Sequence, residues 1–179
     1  MTWHGKLILG CSLVFALSSV FGLLYIVTNK PQISTAQKIS NLLEKNKLEK
    51  HWSIYDFKEV VKELDKLADD TKINVNWYIA LIKHESGFKY WVKGRKNRNG
   101  SRDLGLMQIN NKYLRAHCRS LKIKHCNPFV VQTALKIGTY ILRACAKKFS
   151  GLQIIQCYNP RSKNYIALIR RVKDRSFAI

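Results

Sequence analysis

A carboxyl group on an apolar helical stripe constrains this chain more than any other feature. Tyr78, Leu81 and Ile82 fall at i, i+3 and i+4, the spacing of one helical face, and the next position on that face, i+7, is Glu85. Lys83 and His84 point elsewhere. Ser86 and Gly87 end the helix, glycine being the residue that most easily takes the left-handed turn found there. Asn76 is its expected N-cap. The stretch therefore predicts a carboxyl group on the buried side of a helix, in its last turn. Removal from water disfavours the charged form and raises a carboxyl pKa. A carboxylic acid that keeps its proton near neutral pH can act as a general acid.

After Glu85 the chain has only two more acidic residues, Asp103 and Asp174. Asp103 lies in Asn-Gly-Ser-Arg-Asp at 99–103, a turn-rich run just ahead of Gly-Leu-Met-Gln-Ile-Asn at 105–110. Taken alone, Glu85 reads more simply as a cap or salt-bridge partner, and Asp103 as a turn residue. Their companions change that reading. His-Glu-Ser-Gly-Phe at 84–88, Gly-Leu-Met-Gln-Ile-Asn at 105–110 and Tyr-Asn at 158–159 resemble the three signatures of the lytic transglycosylase, or goose-type lysozyme-like, family. The small specialised enzymes of secretion, conjugation and pilus systems are the nearest resemblance. The run from Asn97 to Asn110 also resembles the active-site ribbon of animal-type lysozymes. The likeness covers roughly 73–165.

The resemblance implies cleavage of the β-1,4 bond between N-acetylmuramic acid and N-acetylglucosamine in peptidoglycan. It implies Glu85 as acid and then base, with a 1,6-anhydro product. Asp103 stands where animal-type lysozymes keep a second carboxylate, so it either stabilises positive charge, supports hydrolysis, or organises its turn. Ser86 is expected to orient Glu85 or the sugar. Gly105 is expected to let the backbone approach the glycan closely. Gln108, Asn110 and Asn159 are expected to contact sugar, Met107 to pack beneath the site, and Tyr158 to bring its hydroxyl near Glu85. The family usually has Ala before this Tyr and Gly soon after the Asn; here Cys157 and Pro160-Arg161-Ser162 stand instead. Tyr90, Trp91 and Tyr113 are candidates to stack on sugar rings.

The net charge of +21 favours polyanions: nucleic acid, anionic lipid or a carboxylate-rich wall. Leu7 to Val27 is a charge-free run long enough to span a bilayer. It reads as a signal-anchor, with a cleaved signal peptide as the alternative. The anchor reading puts the rest of the chain in the periplasm, held at the inner membrane, with a secretion, conjugation or pilus complex as a partner. An export segment and the lack of any nucleic-acid motif argue against specific nucleic-acid binding. A catalytically dead wall-binding scaffold is the rival from another class. Cys118, Cys126, Cys145 and Cys157 suggest two disulfides in an exported domain, with three connectivities open and the local pairs 118–126 and 145–157 favoured. His117 and His125 beside cysteines hint at zinc, but no Cys-x-x-Cys spacing supports it, so neither metal nor cofactor is expected.

The organisation follows as a signal-anchor at 1–28, a polar basic spacer at 29–52, and a lysozyme-like domain at 53–179. The spacer holds a short helical stretch at 36–47. Phe57, Val60, Val61, Leu64, Leu67 and Ala68 mark an amphipathic helix whose charged side is expected to face water. Asn127-Pro128 reads as the start of a helix running to about Phe149. A shorter helix ends at Cys157, and a last one spans 163–173 with Ile166, Ile169 and Val172 inward. The basic loop at 89–102 is expected either to contact an anionic substrate or to be simply solvated, and the resemblance implies that it is short. The expected fold class is mainly α, about six helices with at most a small β-hairpin, plus the N-terminal transmembrane or signal helix.

Overall fold

The computed structural model describes residues 33–160 and 164–177. The charge-free run at 7–27 and Cys11 lie outside them, and within them no helix is long and apolar enough to cross a membrane. Seven α-helices are present among the described residues: α1 Thr35–Lys45, α2 Ile54–Thr71, α3 Val75–Ser86, α4 Asn111–Ser120, α5 Val131–Ala146, α6 Gln153–Tyr158 and α7 Tyr165–Phe177. One two-stranded antiparallel ribbon, β1 Asp103–Leu104 and β2 Ile109–Asn110, completes the set, with Asp103 paired to Asn110 and Leu104 to Ile109. The mainly helical expectation holds.

Helix α3 is the centre. Tyr78, Ile79, Ala80, Leu81 and Ile82 are all fully buried, so the helix is enclosed on nearly every side rather than along one stripe. It packs chiefly on α7 and α2. The Tyr78 hydroxyl shares a 2.6 Å hydrogen bond with Thr71 Oγ1, which satisfies an otherwise stranded buried phenol. The cap is Asn74, whose side chain accepts from Asn76 N at 2.9 Å; Asn76, expected as the cap, is the second residue of the helix. At the other end Gly87 takes φ +61, as the left-handed C-terminus requires.

Residues 35–51 do not behave as a spacer. Ser34 caps α1, and Ile39, Leu42, Leu43 and Leu48 enter the same core as α3. Thr35 Oγ1 donates to Asp65 of α2 at 2.6 Å. Those four aliphatics stand among Lys, Glu and Asn, which made the segment look polar on average. Helix α2 is capped by Ser53 and buries Val60, Leu64 and Leu67. Its charged side is not wholly solvated: Arg143 of α5 donates to Asp70 at 2.8 Å and lies 3.7 Å from Glu63. These half-exposed ion pairs register α2 on α5, each contributing at most about 1 kcal/mol.

Helix α5 begins at Val131, not at Asn127-Pro128. Asn127 Oδ1 accepts from Phe129 N at 3.0 Å, so that dipeptide forms a turn ahead of the helix. Its far end is Ala146, and Phe149 lies beyond it, 44% exposed. Helix α4 buries Cys118 fully, and Leu114 before it and Leu121 just after the helix pack half-buried against the core, a stripe at i, i+4 and i+7. The inward face of α7 is led by Tyr165 and Ile169, both fully buried, with Ile166 only half-buried.

Both local disulfides are formed, Cys118–Cys126 and Cys145–Cys157, each with Cα atoms 5.9 Å apart. The first ties the end of α4 to the turn before α5; the second ties the last turn of α5 to α6. Closing loops of this length stabilises a fold by about 2–4 kcal/mol per bond. Replacing Cys145 and Cys157 together by Ser should lower the unfolding free energy by about that amount in urea denaturation. No change would mean the bond does not constrain the unfolded chain.

Candidate active site

The last turn of α3, the ribbon, α4, Ile141 of α5 and the end of α6 enclose a cavity of about 400 Å³. Glu85 forms part of its wall, at the C-terminal end of the enclosed helix. Asp103 and Asn97 come from the ribbon side, with Gln108, Ile109 and Asn110. Tyr113 and His117 come from α4, and Tyr158, Asn159 and Pro160 follow from α6. Two carboxyl groups thus share one cavity, although 17 residues of basic, Gly-punctuated chain separate them in sequence.

The two carboxyls are held differently. Burial pushes Glu85 up to about 7, the hydroxyl of Tyr165 pulls it down, and the charge of Asp103 pushes it up again. Tyr165 donates its hydroxyl to Glu85 Oε1. That phenol is itself raised, first by burial and then by the Glu85 charge, so it stays a donor. The His84 ring stands edge-on to Tyr165 with centroids 5.5 Å apart. Asp103 accepts from Asn110 Nδ2 at 2.8 Å and from Asn97 Nδ2 at 3.5 Å. Amides therefore hold this carboxylate, not the arginines beside it in sequence: Arg102 donates to the Gly94 carbonyl at 2.9 Å.

Several expected roles change. Ser86 is buried and donates to Ile82 O at 3.2 Å in its own helix. Gly105 has φ +72, and a Cβ there would lie 1.9 Å from the Pro128 carbonyl oxygen. Its need for glycine is thus satisfied by the protein's own backbone. Gln108 donates to Gly105 O at 2.8 Å and Val92 O at 3.3 Å, which holds the ribbon turn closed. Asn110 spends its amide hydrogens on Asp103 and Ser101, while its Oδ1 caps α4 through Lys112 N. Both side chains still face the cavity, but as builders of the ribbon. Met107 is fully buried under the site as expected, against Gly138, where a Cβ would meet its side chain at 2.5 Å. Tyr158 lines the same cavity as Glu85, and its hydroxyl donates to Met107 O at 2.6 Å, which locks α6 to the ribbon. Burial, and then the nearby carboxylates, raise that phenol well above its usual range.

Tyr165, which no motif singled out, is the phenol that hydrogen-bonds Glu85. The signal was present: Tyr165, Ile169 and Val172 fall at i, i+4 and i+7, which puts a phenol on the inward face of α7. Of the three stacking candidates, Tyr113 reaches the cavity. Tyr90 and Trp91 instead join a cluster with Trp52 and His51, the Trp91 and His51 ring centroids 4.8 Å apart. His117, Ile141 and Pro160 line the cavity without any motif to announce them, whereas Asn97 opens the run that resembles an active-site ribbon.

The profile of the transglycosylase SLT domain matches residues 64–178, well over half of the chain. The protein belongs to the SLT-domain family. It is also similar to insect lysozymes. It is 46% identical over 54 residues to a lysozyme of Hyalophora cecropia, across 30% of this chain and 38% of that one. It is 34% identical over 90 residues to a lysozyme of Galleria mellonella and 38% over 90 to one of Antheraea mylitta, in both cases across 50% of this chain and 72% of the relative. The chain thus spans little more than a third of the first relative and nearly three quarters of the other two. An SLT-domain protein whose central acid is held near pKa 7 should carry a stability cost above that pH.

The folded pKa of Glu85, about 7, exceeds its reference value of 4.5. Between those pH values the folded state binds more protons than the unfolded one, so stability falls as pH rises through that window. Glu85→Gln removes the penalty. The variant should match wild type near pH 4 and exceed it at pH 8 by about 2–3 kcal/mol in urea denaturation. A variant no more stable at pH 8 would show that Glu85 ionises without cost. Tyr165→Phe should raise the Glu85 pKa further, read by carboxyl NMR, because the lost bond favoured the ionised form. A lowered pKa in that variant would reverse the role assigned to Tyr165.

Proposed function

We propose that the protein cleaves the β-1,4 glycosidic bond between N-acetylmuramic acid and N-acetylglucosamine in peptidoglycan, with Glu85 as acid and then base. The observation that carries this reading is the Glu85 carboxyl on the cavity wall, half of it protonated at about pH 7. Breaking the bond requires a proton on the leaving oxygen and relief of positive charge at the anomeric carbon. Glu85 delivers its proton to the leaving 4-oxygen as the C1–O4 bond breaks. The resulting carboxylate takes the proton of the muramyl 6-hydroxyl, whose oxygen closes on C1. The acid is regenerated, a 1,6-anhydro end forms, and no water is consumed. Asp103, oriented by Asn110 and Asn97, favours the developing cation over the neutral ground state. Tyr113 and Asn159 offer ring, hydroxyl and amide to the sugars from the open side of the cavity.

One observation favours a second reading. Because Asp103 shares the cavity with Glu85, water can replace the 6-hydroxyl as acceptor, which makes the protein a hydrolysing muramidase. Digesting peptidoglycan and weighing the muropeptides separates the two. Anhydro-muramic ends are expected; reducing ends without anhydro ends would establish hydrolysis, and no release at all would favour a wall-binding scaffold. Glu85→Gln should slow release at least about a hundredfold. Asp103→Asn should slow it while leaving the product unchanged. Near-normal turnover by a folded Gln variant would remove Glu85 from the chemistry.

We also propose that the run at 7–27 anchors the chain in the inner membrane, with the domain in the periplasm serving a secretion, conjugation, pilus or phage machine. Its length and lack of charge support this. A topology reporter fused after Ile179 should be active only outside the cytoplasm; activity only inside would reject the orientation.

A further inference from the structure

The part of the cavity wall that α6 supplies cannot hold itself in place. This helix has six residues and no side-chain N-cap, and it buries only Ile154 and Ile155. A helix so short gains too little from its own hydrogen bonds to persist in water. The chain that leads into it adds no support. Lys147 to Gly151 are all exposed, and Gly151, at φ +53, has open space where a Cβ would stand. Yet Tyr158, the last residue of α6, and Asn159 after it both line the cavity. Tyr158 also fastens the ribbon through Met107 O.

The rigidity comes from α5, on which α6 chiefly packs. Helix α5 runs for 16 residues and buries nine of them. Cys145, in its last turn, is bonded to Cys157, the residue immediately before Tyr158. A covalent link thus ends one residue short of the cavity wall. It stands where the family usually has Ala, so it is an addition of this chain. The bond is also open to exchange. Cys145 is buried and Cys157 is half-buried, so an incoming thiolate meets the bond at Cys157 Sγ. Cys145 then leaves as a thiolate and takes a proton, and the second thiol of the reductant displaces Cys157. Two thiols form in the protein and one disulfide in the former dithiol, a transfer of two electrons and two protons. The reverse exchange, with a disulfide as oxidant, closes the bond again.

We infer that Cys145 and Cys157 are a positioning pair for the glycan-binding wall: the protein holds its substrate when the bond is formed and loses that hold, reversibly, when a dithiol reduces it. This rests on the reading of the cavity as a peptidoglycan site. The test measures kcat and KM on soluble glycan strands before and after dithiothreitol, with helicity followed by far-UV circular dichroism. Reduced wild type should keep its helicity and show a KM about tenfold higher, the scale of one or two lost hydrogen bonds to sugar. The kcat should change far less, because Glu85 and Tyr165 stand on α3 and α7, which the bond does not join. Loss of folded protein alone would instead lower kcat and leave KM where it was. Reoxidation should restore KM. Cys145→Ser with Cys157→Ser should show the raised KM with or without reductant, whereas Cys118→Ser with Cys126→Ser should keep the response to reductant. Should the first pair fail to fold, reduced wild type carries the test. An unchanged KM on reduction, a response that disappears with Cys118 and Cys126, or a joint loss of kcat and helicity would overturn the role of the pair while leaving the activity of the oxidised protein in place. No cleavage by oxidised wild type would overturn the activity, and the role of the pair with it.

Discussion

The rest of the structure depends on burying one carboxyl group at the end of a helix that is enclosed on almost every side. Ordinarily a carboxylate in such a place is intolerable, because taking the charge out of water costs several kcal/mol. The fold tolerates it in two ways. The group titrates near neutrality, so it need not carry its charge there. Tyr165 supplies a donor that suits the group when it is ionised. Helix α7 therefore does more than close the core: its packing on α3 brings the phenol to the acid.

The opposite wall is held by a different logic. The ribbon is only two residues long on each strand, too short to be stable by itself. It is braced from outside. Gln108 ties its turn to Gly105 and Val92, and the Tyr158 hydroxyl fastens Met107 O to α6. Gly105 and Gly138 make room for Pro128 and Met107 at approaches that no side chain would permit. Most residues of the Gly-Leu-Met-Gln-Ile-Asn run thus build the wall that presents Asp103. A run that reads as a binding motif is largely an architectural one, and the other groups on the cavity wall come chiefly from α4 and the end of α6.

Charge is distributed in keeping with this. Beyond Asp70 the only acidic residues are Glu85, Asp103 and Asp174, and the first two face the cavity. The negative groups of the site therefore sit in a strongly cationic surface, which draws an anionic polymer towards them. Most of the remaining acid lies on α1 and α2, where Asp65 and Asp70 serve packing through Thr35 and Arg143.

Residues with a local signature were legible from sequence. The stripe Tyr78, Leu81, Ile82, Glu85 announced a buried acid, because helical periodicity alone assigns a residue to a face. Gly87 announced the end of the helix, and the short spacings 118–126 and 145–157 announced the disulfides that form. What only the tertiary structure decided is which groups meet. Tyr165 meets Glu85 because α7 returns across α3, a crossing that no local pattern encodes. Gly105 answers to Pro128, and Asp103 to Asn97 and Asn110 rather than to its neighbouring arginines, for the same reason. Periodicity tells a side chain which way to face; the packing of distant elements determines what it finds there.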